Sequence, residues 1–161
     1  MNRNILDGKV AIVTGGSKGI GRAIAETYVR EGAKTVITAR GKEALDKAVD
    51  EIAAKNYPGE IIGVIADSSK KDDAVHAFDV CIEKFGRIDV MVNNAGISNR
   101  FSLECTRDEE WDSIIATNVT GPMYFLRLAL EKMLAQKSGS IVTISSAAGV
   151  RFFGGAGYTT S

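Results

Sequence analysis

A glycine-rich turn between a short apolar run and a helical pattern constrains this chain more than any other feature. Residues 10–14 read Val-Ala-Ile-Val-Thr, and residues 15–21 read Gly-Gly-Ser-Lys-Gly-Ile-Gly. Because glycine lacks a Cβ atom, such a turn can approach a ligand closely and adopt positive φ. The N–H groups at the start of the following helix favour an anion. The pattern predicts a phosphate-binding cradle, and a purely structural turn is the alternative.

Short runs rich in Val, Ile and Thr alternate with longer helical patterns along the rest of the chain. These runs show little polar alternation, which is typical of parallel strands buried on both faces. Repeated βα units predict a Rossmann-type α/β fold, a doubly wound parallel sheet with helices on both faces that stops after about the fifth strand. Because Pro122 interrupts the last helical pattern, we expect a kink or break near Gly121. The predicted strands are 10–14, 35–39, 61–66, 88–93 and 140–145, and the predicted helices are 19–31, 42–55, 70–85 and 108–136.

Composition argues against several classes of partner. Twenty basic and twenty acidic residues cancel, so we predict neither a nucleic-acid partner nor attraction to an anionic membrane. No apolar stretch approaches the roughly 18 residues of a membrane span, and the first residues lack the apolar core of a signal peptide. The two cysteines, Cys81 and Cys105, form no CxxC motif and favour a reducing compartment, so we predict the cytoplasm. We predict no metal site, because no Cys, His and carboxylate grouping has ligand spacing.

Two motifs at predicted strand ends carry a family resemblance. Residues 14–21, Thr-Gly-Gly-Ser-Lys-Gly-Ile-Gly, resemble the cofactor motif of classical short-chain dehydrogenases/reductases, and residues 93–96, Asn-Asn-Ala-Gly, resemble that family's second hallmark. The resemblance covers the whole chain and leans toward the 3-oxoacyl-(acyl carrier protein) reductase-like group, with sugar-alcohol and hydroxysteroid substrates as alternatives. It implies a single NAD(P)-binding domain over residues 1–161, with the cofactor beyond the carboxyl ends of the strands.

The end of the second predicted strand bears on which dinucleotide binds. An NAD site would place a carboxylate here to accept from the ribose 2′-hydroxyl, but the chain has none between the end of this strand and Glu43. Arg40 and Lys18 can instead bind a 2′-phosphate, so we predict NADP and regard NAD as less favoured. The alternative is that both are solvated surface cations.

Further cofactor contacts follow from the resemblance. Asp67 resembles the residue that contacts adenine, with Ser68 beside it, although a helix-capping carboxylate is an alternative. The predicted cofactor-binding residues are Gly15, Ser17, Lys18, Gly19, Ile20, Gly21, Arg40, Asp67, Ser68, Asn94, Ala95 and Gly96.

The resemblance assigns the chemistry to Ser146, Tyr158 and Asn118. It implies that Tyr158 is the acid or base, that Ser146 orients the substrate oxygen and that Asn118 helps to order a water. Ser145 is the alternative serine, because the gap from Ser146 to Tyr158 is one residue shorter than the family's commonest spacing. A role in stabilising the kink near Pro122 is the alternative for Asn118. The implied reaction is NADP(H)-dependent interconversion of a small-molecule carbonyl and an alcohol by hydride transfer.

One departure from the family concerns the residues after Tyr158. The family has a lysine four residues after its tyrosine, whereas this chain reads Tyr158-Thr159-Thr160-Ser161. We therefore expect the N-terminal part of a longer enzyme, homo-oligomeric at full length, and we expect the 161 residues alone to be a poor catalyst. A catalytically inactive dinucleotide-binding module is the alternative function, and an epimerase is a weaker one. We also expect the fifth strand to be an exposed apolar edge. The segment 151–153, Arg-Phe-Phe, is a candidate lining of the substrate pocket, and anchoring of an exposed loop is the alternative.

Overall fold

The computed structural model describes residues 4–99, 102–151 and 155–161. Five parallel strands form one sheet in the order β3-β2-β1-β4-β5, which confirms the predicted doubly wound fold. Chain connections leave β1 and β4 in opposite directions, so a crevice opens between their carboxyl ends. The strands are β1 (Val10–Thr14), β2 (Lys34–Ala39), β3 (Glu60–Ile65), β4 (Val90–Asn93) and β5 (Ser140–Thr143).

Six α-helices are described, and the long predicted helix 108–136 is interrupted next to Gly121, as expected. The interruption is a π-helical turn, Ala116–Thr120, which separates α4 from α5. Pro122 has no N–H to donate to the carbonyl four residues earlier, which favours the wider turn. The helices are α1 (Gly19–Arg30), α2 (Lys42–Ala53), α3 (Lys71–Phe85), α4 (Asp108–Ile115), α5 (Gly121–Gln136) and α6 (Ala156–Thr160), with short 3₁₀ turns at Leu103–Cys105 and Ala147–Gly149.

Most predicted element ends agree with the structure to within two residues, and two strands are shorter than predicted. β4 begins at Val90 rather than at residue 88. The backbone of Ile88 is bonded instead to the side chain of Gln136, whose Oε1 accepts at 3.2 Å and whose Nε2 donates at 2.7 Å. β5 ends at Thr143 rather than at residue 145.

Apolar side chains fill both faces of the sheet. Phe78 of α3 and Phe125 of α5 lie in the cluster on one face, and Leu45 of α2 lies in the cluster on the other. Cys81 belongs to the first cluster, where its Sγ lies 3.7 Å from the carbonyl oxygen of Arg87. Burial raises the pKa of the Cys81 thiol to about 12.

The central and edge strands differ in exposure. Every residue of β1 is buried, whereas β5 lies at the sheet edge with Val142 38% exposed. This confirms the expected exposed apolar edge. Among the described residues, no helix is both long and apolar enough to cross a membrane.

Candidate functional site

Two adjoining clefts open at the carboxyl ends of the strands. The first, of about 450 Å³, lies over the glycine turn and the ends of β2 and β3, and we call it the glycine cleft. The second, of about 460 Å³, lies between the end of β5 and α6, and we call it the serine cleft. A common wall of residues belongs to both clefts, so they form one continuous groove. The shared residues are Ile20, Asn94, Ala95, Gly96 and Ile97.

All of the predicted cofactor-binding residues except Gly21 line the glycine cleft. Gly21 lies behind it, buried at the start of α1. A Cβ atom there would lie 2.4 Å from Nδ2 of Asn94 and 2.5 Å from the carbonyl oxygen of Gly15. Gly21 therefore lets the helix pack closely against the glycine turn rather than forming part of the cleft surface. The lining residues that we predicted are Gly15, Ser17, Lys18, Gly19, Ile20, Arg40, Asp67, Ser68, Asn94, Ala95 and Gly96.

The glycine turn has the backbone geometry of an anion cradle. Gly15 has φ +67° and Gly19 has φ +56°, in the region that favours glycine. A Cβ atom at Gly19 would meet nothing within 4 Å, so this side of the turn is open to a ligand. α1 begins at Gly19 with Lys18 preceding it, and no side chain caps its first N–H groups. These N–H groups can bind a phosphate.

A hydrogen-bonded clamp joins the glycine turn to the loop after β4. The Thr14 hydroxyl accepts from the N–H groups of Asn94 and Ala95, both at 3.0 Å, and donates to the carbonyl of Val92 at 3.3 Å. The Asn94 amide donates to the carbonyls of Thr14 at 2.9 Å and Gly15 at 3.3 Å. Our sequence prediction missed Thr14, although a hydroxyl at the end of a buried strand was a visible signal.

Among the residues that line the two clefts, charged side chains occur only in the glycine cleft. Lys18 and Arg40 are exposed at the rim of the glycine cleft. Burial alone would raise the pKa of Asp67, but hydrogen bonds from Ser69 and the positive charges of Arg40 and Lys70 lower this pKa below its ordinary value. The Asp67 carboxylate therefore stays ionised at neutral pH.

Asp67 is not the residue that caps α3. Its Oδ1 accepts from the hydroxyl of Ser69 at 2.7 Å and from the N–H of Ser69 at 3.0 Å. The N-cap of α3 is Lys70. The carboxylate thus stabilises the turn before the helix and lines the glycine cleft at the same time.

The serine cleft brings together both candidate serines, Asn118 and Tyr158. The Ser146 hydroxyl accepts from the N–H of Ala148 at 3.2 Å, which leaves its own O–H free to donate. Ser145 lines the same cleft, so the choice of Ser146 over Ser145 stays a prediction. Tyr158 lies in the first turns of α6 and is half-buried.

Asn118, in the π-helical turn, is bonded to the cleft wall through its side chain. Its Oδ1 accepts from the N–H of Ile97 at 2.9 Å, and its Nδ2 donates to the Ile97 carbonyl at 2.9 Å. Nδ2 also donates to the Ser161 hydroxyl at 2.9 Å. The amide therefore holds the wall and α6 together, and the predicted ordering of a water by Asn118 stays a prediction.

Part of the candidate substrate pocket is outside the described residues. Arg151 is exposed after the turn that follows Ser146. Phe152 and Phe153, which we also considered as pocket lining, lie outside the described residues. In the part of the chain that the structure describes, no group of three His, Cys, Asp or Glu side chains could hold a metal ion.

The sequence matches the short chain dehydrogenase family over residues 9–161. It is 35% identical over 154 residues to the 3-oxoacyl-[acyl-carrier-protein] reductase FabG of Thermotoga maritima, a match that covers 96% of this chain and 61% of that protein. It is 41% identical over 145 residues to the NADP-dependent (R)-specific alcohol dehydrogenase of Lentilactobacillus kefiri, covering 89% of this chain and 56% of the relative. The chain thus spans about three fifths of the length of these curated relatives.

Solved structures show the same fold. The crystal structure of a metagenomic short-chain oxidoreductase in complex with NADP superposes with a TM-score of 0.90 at 40% sequence identity. That match covers 96% of this chain and 70% of the other chain. Levodione reductase superposes with a TM-score of 0.91 at 31% identity, covering 96% of this chain and 60% of that chain.

Proposed function

Because the chain belongs to the short-chain dehydrogenase family, we propose that its groove serves NADP(H)-dependent interconversion of a carbonyl and an alcohol. The single observation that carries this proposal is the continuity of the two clefts through their shared wall. A dinucleotide is a long ligand, and the groove offers phosphate-binding backbone at one end and hydroxyl groups at the other. When bound, the nicotinamide supplies or accepts the hydride.

The glycine cleft supports the cofactor half of the proposal. The uncapped start of α1 and the open side of Gly19 fit a pyrophosphate. Lys18 and Arg40, at the rim of the same cleft, fit the 2′-phosphate that distinguishes NADP from NAD. Asp67, with its carboxylate ionised, is the candidate contact for the adenine. The relative from Lentilactobacillus kefiri is NADP-dependent by name, which agrees with this preference.

The serine cleft supports the chemical half. In carbonyl reduction the Tyr158 hydroxyl donates a proton to the substrate oxygen, and in alcohol oxidation its oxygen accepts that proton. Ser146 keeps an O–H free to bond the same oxygen, since its own oxygen accepts from the Ala148 N–H. Asn118 holds the wall between the clefts through Ile97. The substrate is a small-molecule ketone, aldehyde or alcohol.

A second candidate function concerns a polypeptide made of these 161 residues alone. Such a polypeptide would lack the lysine that the family has four residues after its tyrosine. We therefore infer that it binds the cofactor with little or no turnover. Turnover of a carbonyl substrate by it would rule out this second candidate.

Titration of NADPH and NADH by fluorescence tests the cofactor assignment. Removal of the Lys18 or Arg40 side-chain charge should raise the dissociation constant for NADPH about tenfold for each cation removed. Each removal takes away one charge-assisted hydrogen bond to the 2′-phosphate. The affinity for NADH should change less than twofold. Lys42→Ala is the matched control, since Lys42 is an exposed cation paired with Asp46 outside both clefts. An equal loss of NADH affinity would contradict the assignment to the 2′-phosphate.

A further inference from the structure

We infer that Asn99, in the loop after β4, is a positioning residue for Tyr158 because it forms the surface on which α6 begins. The role given to Tyr158 rests on the proposed function, whereas the contact between the loop and α6 does not. We call Asn99, Trp111 and Ile114 the α6 seat.

The start of α6 approaches Asn99 too closely for any side chain at Gly155. Gly155 has φ +77°, and a Cβ atom there would lie 2.1 Å from the carbonyl oxygen of Asn99 and 3.0 Å from its Oδ1. Both the backbone angle and the space therefore require glycine. The approach places the backbone of residue 155 directly against Asn99.

The residue before Tyr158 faces the other two members of the seat. A Cβ atom at Gly157 would lie 2.9 Å from Cδ1 of Ile114 and 3.7 Å from Cε3 of Trp111. It would also lie 3.8 Å from Nδ2 of Asn99. The two glycines thus let α6 rest on α4 and on the loop, one residue ahead of the tyrosine.

Asn99 is itself held in place. Its Nδ2 donates to Oγ1 of Thr106 at 3.3 Å, and Thr106 donates onward to the carbonyl of Ser102 at 2.9 Å. Two residues earlier, Ile97 is bonded through both backbone groups to Asn118. The loop is therefore fixed at two points before it meets α6.

The seat lies at the point where α6 begins. The N–H groups of Thr159 and Ser161 donate to the carbonyls of Gly155 and Gly157, both at 3.1 Å. The first turn of α6 is therefore built on the two glycines that pack against the seat. The placement of Tyr158 in the lining of the serine cleft follows from this packing.

Hydrogen exchange and tryptophan fluorescence test this inference directly. Asn99→Ala removes the hydrogen bond to Thr106 and the Oδ1 atom that faces Gly155. We expect protection of the Thr159 and Ser161 N–H groups to fall about tenfold, as for the loss of one hydrogen bond. Trp111 is the only tryptophan, and its emission should shift to the red as the seat opens to water. The affinity for NADPH should stay within twofold, because Asn99 lines neither cleft.

A matched pair of variants separates positioning from general stability. Thr106→Val removes the hydroxyl that holds Asn99 and should reproduce the Asn99→Ala result, whereas Thr106→Ser keeps the hydroxyl and should restore protection and emission. This pair also decides the question if Asn99→Ala fails to fold. Wild-type protection and emission in Thr106→Val and Asn99→Ala would overturn the inference. Failure of the wild-type chain to bind NADPH would instead overturn the proposed cofactor and leave the exchange result valid.

Discussion

The two ends of the groove are built on strands with opposite surroundings. β1, below the glycine cleft, has neighbours on both sides and helices on both faces, and its residues are all buried. β5, below the serine cleft, is an edge strand in which Val142 is 38% exposed. Ile144, just after β5, is 37% exposed. The cofactor end is therefore fixed by the core, whereas the end that carries the serines depends on few contacts.

This difference teaches where single substitutions will act. Close packing near β1 makes a change of one methyl or one hydroxyl costly. Side chains near β5 can change with little effect on folding, because they lose little buried surface. The following substitutions test this contrast, from the largest expected effect to the smallest.

Gly21→Ala should lower the free energy of unfolding by about 3 kcal/mol, because its Cβ atom would overlap Asn94 and the carbonyl of Gly15. Urea unfolding followed by circular dichroism measures this change. Gly41→Ala is the control, since a Cβ atom at Gly41 would meet nothing within 4 Å. Equal stabilities of the two variants would show that the turn can relax around the added methyl.

Asp89→Asn should cost about 2 kcal/mol at pH 7, because a charged acceptor is lost at the other end of β1 and β4. The buried Asp89 carboxylate accepts from the Val10 N–H at 3.0 Å and from the Arg87 guanidinium at 2.6 and 2.9 Å. Burial alone would raise the pKa of Asp89, but these bonds and the charges of Arg87 and Lys9 lower it below its ordinary value.

The pH dependence of this effect follows from the sign of the shift. A carboxyl group whose pKa is lower in the folded state stabilises that state fully above its unfolded pKa of about 4. The stabilisation is lost as the pH falls through the folded pKa of Asp89. Unfolding measured from pH 7 to pH 2 should therefore show the wild type and Asp89→Asn converging only below about pH 4. A constant difference across that range would contradict the shift.

Thr14→Val should cost about 1.5 kcal/mol, because it leaves the N–H groups of Asn94 and Ala95 without their acceptor. Thr38→Val is a matched control on the neighbouring strand. The Thr38 hydroxyl is buried without a hydrogen-bond partner among the described residues, so its removal should be neutral or stabilising. Thermal and urea unfolding of the two variants measure the contrast. Equal losses of unfolding free energy in both variants would show that the Thr14 clamp does not contribute to stability.

Val142→Thr, on β5, should change the free energy of unfolding by less than about 0.5 kcal/mol, since the side chain is already partly in water. Val13→Thr is the counterpart on β1. Val13 is fully buried, and its replacement buries a hydroxyl at a cost of about 1.5 kcal/mol. Urea unfolding of both variants gives the ratio of the two effects. A large loss for Val142→Thr would break the contrast between centre and edge.

Sequence reasoning succeeded where structure depends on neighbouring residues. The bounds predicted for β1 are those of the structure, and α1 begins at the predicted residue 19, because an apolar run followed by glycines encodes both locally. The cofactor residues were predicted as a set from motifs at strand ends, and these ends meet because the strands are parallel.

It failed where a long-range contact decides the outcome. The start of β4 depends on Gln136, which lies 48 residues from Ile88. The seat of α6 joins Asn99 to glycines more than 50 residues later, and nothing in the local pattern around Asn99 signals this contact. Compositional and family reasoning also gave the cytoplasmic location and the homo-oligomeric full-length form, and both stay predictions.

Because Cys81 is buried, chemical labelling of its thiol reports how often the surrounding core becomes accessible. A thiol with a pKa of about 12 is almost entirely protonated at neutral pH, and only the thiolate is alkylated readily. Cys105 is exposed, so a maleimide reagent added to the native protein modifies that position first. A second label then enters at Cys81, and its rate of incorporation, followed by mass spectrometry, measures how often the core around α3 becomes accessible.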